Sequence, residues 1–130
     1  MDIYIIDNKT IKFNILFNQP LNEKILNDMK LISKIIFPLK FNKEINNIPN
    51  NIKYIEFGHF FNQPLDHLPN SLEFLKLSHS FNQPIDFLPS RLKTLVLGHS
   101  FNQSLNNLPD SIENLIIGKN FNNSLNCLPS

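Results

Sequence analysis

The pair Phe-Asn returns at Phe41-Asn42, Phe61-Asn62, Phe81-Asn82, Phe101-Asn102 and Phe121-Asn122, always twenty residues apart. A fixed short period constrains a fold more than any other sequence feature. Each copy is one structural unit, too small to bury its apolar face alone, so copies must stack. Leu-Pro keeps the same step at Leu68-Pro69, Leu88-Pro89, Leu108-Pro109 and Leu128-Pro129, with Ile48-Pro49 as a variant. Between Leu-Pro and the next Phe-Asn lies a triplet, Leu72/Leu75/Leu77, repeated as Leu92/Leu95/Leu97 and Ile112/Leu115/Ile117. Earlier versions are Ile52/Ile55/Phe57 and Ile32/Ile35/Phe37, and an earlier pair, Phe17-Asn18, precedes Phe41 by twenty-four residues.

The triplet spacing L-x-x-L-x-L is that of a repeat strand. Alternate strand residues share a face, which points Leu75 and Leu77 inward and Phe74, Lys76 and Ser78 to the open face. A helix is excluded from the return path, because Pro64 and Pro69 fall within six residues and each removes a backbone donor. Ala, the best helix former, is absent from the chain. The fold class expected is therefore mainly β: a leucine-rich-repeat-like solenoid with a parallel sheet on its concave face and an extended convex side. Stacking should align the Phe of every copy into an aromatic spine. Beside it, the Asn column should bridge backbone groups that the turns leave unpaired.

The whole chain, 1–130, reads as one domain. Residues 1–16 form an N-terminal cap, in which Ile3–Ile6 and Thr10–Phe13 flank a turn as a β-hairpin. Residues 17–40 make an irregular first repeat, where Ile25, Leu26 and Met29 have helical spacing and predict a short helix. Regular repeats occupy 41–60, 61–80, 81–100 and 101–120, and a partial repeat occupies 121–130. There Phe121, Leu125 and Leu128 are expected at an open end, a surface for mobility or for a partner.

The formal net charge is +1, without a basic block. Neither nucleic acid nor a membrane surface is expected as partner. The start, Met1-Asp2-Ile3-Tyr4, lacks the positive segment and apolar run of a signal peptide. No stretch approaches the roughly 18 apolar residues of a membrane helix. The one cysteine, Cys127, cannot build a disulfide framework and is read as a packing residue or surface thiol. A cytoplasmic setting follows as the expectation.

The motif Phe-Asn-Gln-Pro-Leu-x-x-Leu-Pro-x-Ser-Leu-x-x-Leu-x-Leu-Gly-x-x, clearest at 61–80 and 81–100, resembles the FNIP repeat family. Those proteins are leucine-rich-repeat-like and numerous in social amoebae and in large DNA viruses that infect amoebae. The resemblance covers 41–130 well and 17–40 loosely. It implies an interaction module, sometimes attached to an F-box that recruits a ubiquitin ligase, and it brings no catalytic residues and no cofactor. The partner it implies is a protein, of the host where the chain is viral.

Within the repeat, the columns that vary are the functional candidates. The open-face columns read Lys34/Tyr54/Phe74/Thr94/Asn114 and Ile36/Glu56/Lys76/Val96/Ile116. Tyr54, Phe74, Lys76, Val96 and Ile116 are the expected partner-binding residues, since aromatic anchors are enriched at binding hot spots. A self-assembling structural protein, forming a homodimer through the C-terminal coil, is the alternative. His59, His79 and His99 also fall twenty residues apart and should stack about 5 Å from one another. Three imidazoles suggest a zinc site with water as fourth ligand. However, a line of ligands is no tetrahedral cup, no carboxylate repeats beside them, and Lys119 takes the next place. Protonation would set like charges side by side, so acid sensitivity between pH 7 and 5 is expected. Asp66 and His67 share a turn, with no independent nucleophile near them in sequence.

Overall fold

The computed structural model describes residues 2–125 and Leu128; Cys127 lies outside the described residues. Strands β1 (Tyr4–Asp7) and β2 (Thr10–Phe13) form an antiparallel hairpin, with Tyr4 opposite Phe13. Its two-residue turn places Asn8 at φ 45° and Lys9 at φ 60°. Two successive left-handed residues match the right-handed strand twist, and asparagine tolerates that region well. Helix α1 (Glu23–Asp28) follows, started by Asn22, whose side-chain oxygen accepts from the Ile25 N–H at 3.0 Å. A 3₁₀ turn, Met29–Leu31, continues it, and Ile25 and Met29 are buried in the core. The Tyr4 hydroxyl donates to the Asp28 carboxylate, and Lys24 Nζ donates to Tyr4 at 2.7 Å and to Asp28 at 3.1 Å. These bonds tie the hairpin cap to the helix.

Five three-residue strands come next, one per coil: β3 (Lys34–Ile36), β4 (Tyr54–Glu56), β5 (Phe74–Lys76), β6 (Thr94–Val96) and β7 (Asn114–Ile116). The seven strands form one sheet in chain order, parallel from β2 onward. Ile11 pairs with Ile35, so β2 completes the first coil and Phe13 stands where Phe37 stands one coil later. The hairpin is thus a cap fused to a coil, as the sequence predicts.

Inside, the coil at 61–80 buries Phe61, Leu65, Leu68, Leu72, Leu75 and Leu77, the set expected from the repeat. Successive rings of the spine, Phe17, Phe41, Phe61, Phe81, Phe101 and Phe121, lie 5.8–6.3 Å apart and within 7° of parallel. A second, shorter aromatic column runs beside it: Phe13, Phe37 and Phe57, 5.4 and 5.0 Å apart. The two columns meet ring to ring, at 3.8 Å between Phe57 and Phe61.

The asparagine column does the bridging expected of it. Each Asn side-chain oxygen accepts the backbone N–H of the Asn one coil on: Asn18 from Asn42, Asn42 from Asn62, Asn62 from Asn82, and Asn82 from Asn102, all at 2.9 Å. Gln63, Gln83 and Gln103 add a second donor to the same oxygens. Among the described residues no buried side-chain nitrogen or oxygen lacks a partner.

One side chain departs from expectation. Ser78 does not share the open face with Phe74 and Lys76; it is 2% exposed, and its hydroxyl donates to the Phe61 carbonyl at 2.5 Å. The strand ends at Lys76 and the backbone turns, so alternation stops holding there. Coils approach closely at this turn: a Cβ on Gly98 would sit 1.9 Å from the Ser78 carbonyl oxygen.

Replacing Asn82 by Ala removes the acceptor of the Asn102 N–H and leaves that donor without it. We expect a loss of about 1–3 kcal/mol in urea unfolding, and a smaller loss for Asn82→Asp, which keeps the accepting oxygen. Equal losses would show that the contribution comes from something other than the acceptor.

Candidate interaction face

The outward residues of each strand are its first and third, because the middle one points into the core. Strand pairing therefore aligns Lys34, Tyr54, Phe74, Thr94 and Asn114 in one column and Ile36, Glu56, Lys76, Val96 and Ile116 in the next. All five sequence-predicted binding residues stand in these columns, on one face. Tyr54, Phe74 and Val96 are half-buried, while Lys76 and Ile116 are exposed.

Tyr54 and Phe74 stack with ring centres 4.1 Å apart and 3° from parallel. The ammonium of Lys34 lies 3.9 Å from the Tyr54 ring centre, an attractive cation–π geometry. The Tyr54 hydroxyl donates to Glu56 Oε2 at 3.0 Å, and Lys76 Nζ donates to Glu56 Oε1 at 2.8 Å. Lys34, Tyr54, Phe74, Glu56 and Lys76 form one connected group spanning three coils. Sequence columns identified its members but not this chain of contacts. Reading the columns for opposite charges at twenty-residue spacing would have paired Glu56 with Lys76.

Ring spacing differs from column to column. Neighbouring rings are 4.1 Å apart on the open face, 5.0–5.4 Å in the core column behind it, and 5.8–6.3 Å in the spine.

The histidine column stacks as expected: His59 to His79 at 4.5 Å and 12°, His79 to His99 at 4.6 Å and 50°. His59 and His79 lie face to face, whereas His99 is tilted against His79. Among the described residues no three His, Cys, Asp or Glu side chains are grouped to hold a metal ion. Asp66 and His67 lie elsewhere, on an exposed turn of the return path. There they border an open polar cleft of about 640 Å³ with Asn46, Asn47, Asn50 and Asn70. The coil at 41–60 turns differently at this point, with Asn47 at φ 62°.

Ionisation of the aromatic group reflects its contacts. Burial, then the hydrogen bond to Glu56 and the charge of that carboxylate, push the Tyr54 phenol up to about 12. Burial pushes Glu56 upward too, but hydrogen bonds from Lys76 and Tyr54 and the nearby lysine charges hold it below its usual value. For Tyr54 the sign is that of a raised group. Its stabilising contribution is complete below pH 10 and is lost as pH rises through about 12. In a Tyr4→Phe background, absorbance at 295 nm should report the Tyr54 phenolate near pH 12, and Glu56→Gln should lower that midpoint. A midpoint near 10 with Glu56 intact would contradict the contact.

Among the described residues no helix is long and apolar enough to cross a membrane. The FNIP repeat family model matches residues 41–80, 61–100, 81–107 and 101–130. No curated protein shows significant similarity to the chain. Among solved structures, the chain is similar to CroV588 of a giant virus, described as a novel circular LRR protein. The two share 43% identity with a TM-score of 0.77, over 88% of this chain and 18% of that one. This chain thus spans less than a fifth of that protein's length. With the repeat register, the stacked coils and the family match in agreement, the chain belongs to the FNIP repeat family.

Proposed function

We propose that the chain is a non-enzymatic protein–protein interaction module that binds its partner on the strand-lined face, through Tyr54, Phe74, Lys76, Val96 and Ile116. The observation that carries this is a contrast within one molecule. Interior columns stay apolar from coil to coil, the spine always Phe and the others exchanging Ile, Leu or Phe, whereas the two outward columns mix charged, aromatic, polar and aliphatic residues. Packing dictates the interior; it leaves the outward positions open to selection by a ligand. Leucine-rich-repeat-like solenoids offer such extended, curved surfaces to proteins. Tyr54 and Phe74 are already stacked, and Glu56 and Lys76 already paired, so little side-chain freedom would be lost on binding. A cytoplasmic setting, where one cysteine needs no mate, belongs to the same proposal.

The decisive comparison is affinity capture from cell lysate by the wild-type chain and by a folded Tyr54→Ala/Phe74→Ala variant. A protein retained by the first should be lost from the second, because truncating aromatic anchors costs about 2 kcal/mol or more at hot spots. Unchanged capture would reject the face.

A second reading is self-association through the last coil. Leu115, Ile117 and Phe121 are only partly buried, whereas Leu95, Leu97 and Phe101 one coil earlier are fully buried. Sedimentation at micromolar concentration decides it: a dimer is expected, and a monomer would reject the idea.

A further inference from the structure

We propose that the outer edge of β1 pairs with β1 of a second copy of this chain, antiparallel about a twofold axis at Ile5, so that the two sheets join into one. This contact is separate from the partner-binding face and from the last coil.

β1 is an outermost strand of the sheet. Such a strand leaves a row of backbone N–H and C=O groups unpaired, and proteins commonly guard it with lysine, proline or a bulge. The run Ile3-Tyr4-Ile5-Ile6 holds no lysine or proline, and its pairing with β2 is continuous. Ile3, Ile5 and Ile6 are all exposed.

The hairpin fixes which backbone groups face outward. The Asn14 N–H donates to the Ile3 carbonyl at 2.8 Å, so these two form a hydrogen-bonded pair. Alternation along an antiparallel ladder makes Ile5/Lys12 and Asp7/Thr10 hydrogen-bonded pairs as well, and Tyr4/Phe13 and Ile6/Ile11 the non-bonded ones. Tyr4 and Ile6 therefore aim their N–H and C=O away from β2. Another strand satisfies both at once.

A second β1 can do so in few registers. Outward-aimed residues must meet outward-aimed residues, which puts the axis on a residue and not between two. Centred on Tyr4 or on Asp7, a single residue of Tyr4–Asp7 finds a mate within the strand. Centred on Ile6, Ile5 lies against the Asp7 carboxylate. Centred on Ile5, Tyr4 meets the second copy's Ile6, Ile6 meets its Tyr4, and Ile5 meets Ile5.

Both faces of that last pairing are apolar. Tyr4 and Ile6 lie opposite Phe13 and Ile11, whose side chains are buried, so they occupy the core side of the sheet. Ile5 lies beside exposed Lys12 on the other side. Aromatic and β-branched side chains facing one another across strands stabilise a sheet. At the rim, Asp2 of each copy comes opposite the Asn8–Lys9 turn of the other, where the charges are of opposite sign. Each copy thus presents one self-complementary patch, the condition for a closed twofold contact.

Oxidative cross-linking of the full chain carrying Ile5→Cys, with Cys127→Ser to remove the native thiol, tests the axis. Residues directly opposed in a non-bonded pair have Cα atoms about 4.5 Å apart, within reach of a disulfide. Ile5→Cys should give a covalent dimer. Ile3→Cys, two residues off the axis in each copy, should give about tenfold less, because its Cα atoms then lie beyond about 7 Å. In sedimentation up to millimolar concentration the wild-type chain should form a dimer. Ile5→Lys, which sets like charges on the axis, should weaken it about tenfold or more with far-ultraviolet circular dichroism unchanged. A monomer throughout that range, equal cross-linking from positions 3 and 5, or oligomers that lengthen with concentration would overturn the pairing. So would a dimer indifferent to Ile5→Lys, which would belong to another surface such as the last coil.

Discussion

The structure depends on a hydrogen bond made away from the sheet. From β3 onward each strand is only three residues long, so backbone pairing within the sheet fixes little of a twenty-residue coil. Past the turn that follows each strand, the asparagine after each spine phenylalanine lends its side-chain oxygen to the backbone N–H of the next asparagine. That contact extends a ladder to a place where no strand can form, and its 2.9 Å length recurs from coil to coil. Asparagine suits it because one short side chain carries a strong acceptor and an amide donor. With strand pairing before the turn and this ladder after it, the phenylalanines between them in sequence are held in line.

The strand register brings outward side chains of adjacent coils close together. Tyr54 and Phe74 touch across coils at 4.1 Å, and Glu56 reaches Lys76. Surface chemistry on this face is therefore organised along the stack more than along any one strand.

Much of this was legible in the sequence, because a strict period converts spacing into position. Phe61 and Phe81, twenty residues apart, had to stack, and the Leu72/Leu75/Leu77 triplet had to supply a strand and its inward side chains. What escaped was local. Ser78 follows the strand by two residues, and alternation alone cannot say where the backbone turns. The Phe13, Phe37 and Phe57 column was visible only as a variation of the triplet, since phenylalanine there does not recur in the later coils. The link from Tyr54 through Glu56 to Lys76 depends on rotamers, which a column of letters does not specify.

The central proposal is a division of labour: uniformly apolar inward residues hold the stack, and varied outward residues bind a partner. Backbone amide chemical shifts of the 130-residue chain, recorded with and without a bound partner, test it most directly. The account predicts changes centred on β4 to β7, at 54–56, 74–76, 94–96 and 114–116. Changes centred on the return path instead, around Asn46, Asp66 and His67, would contradict it.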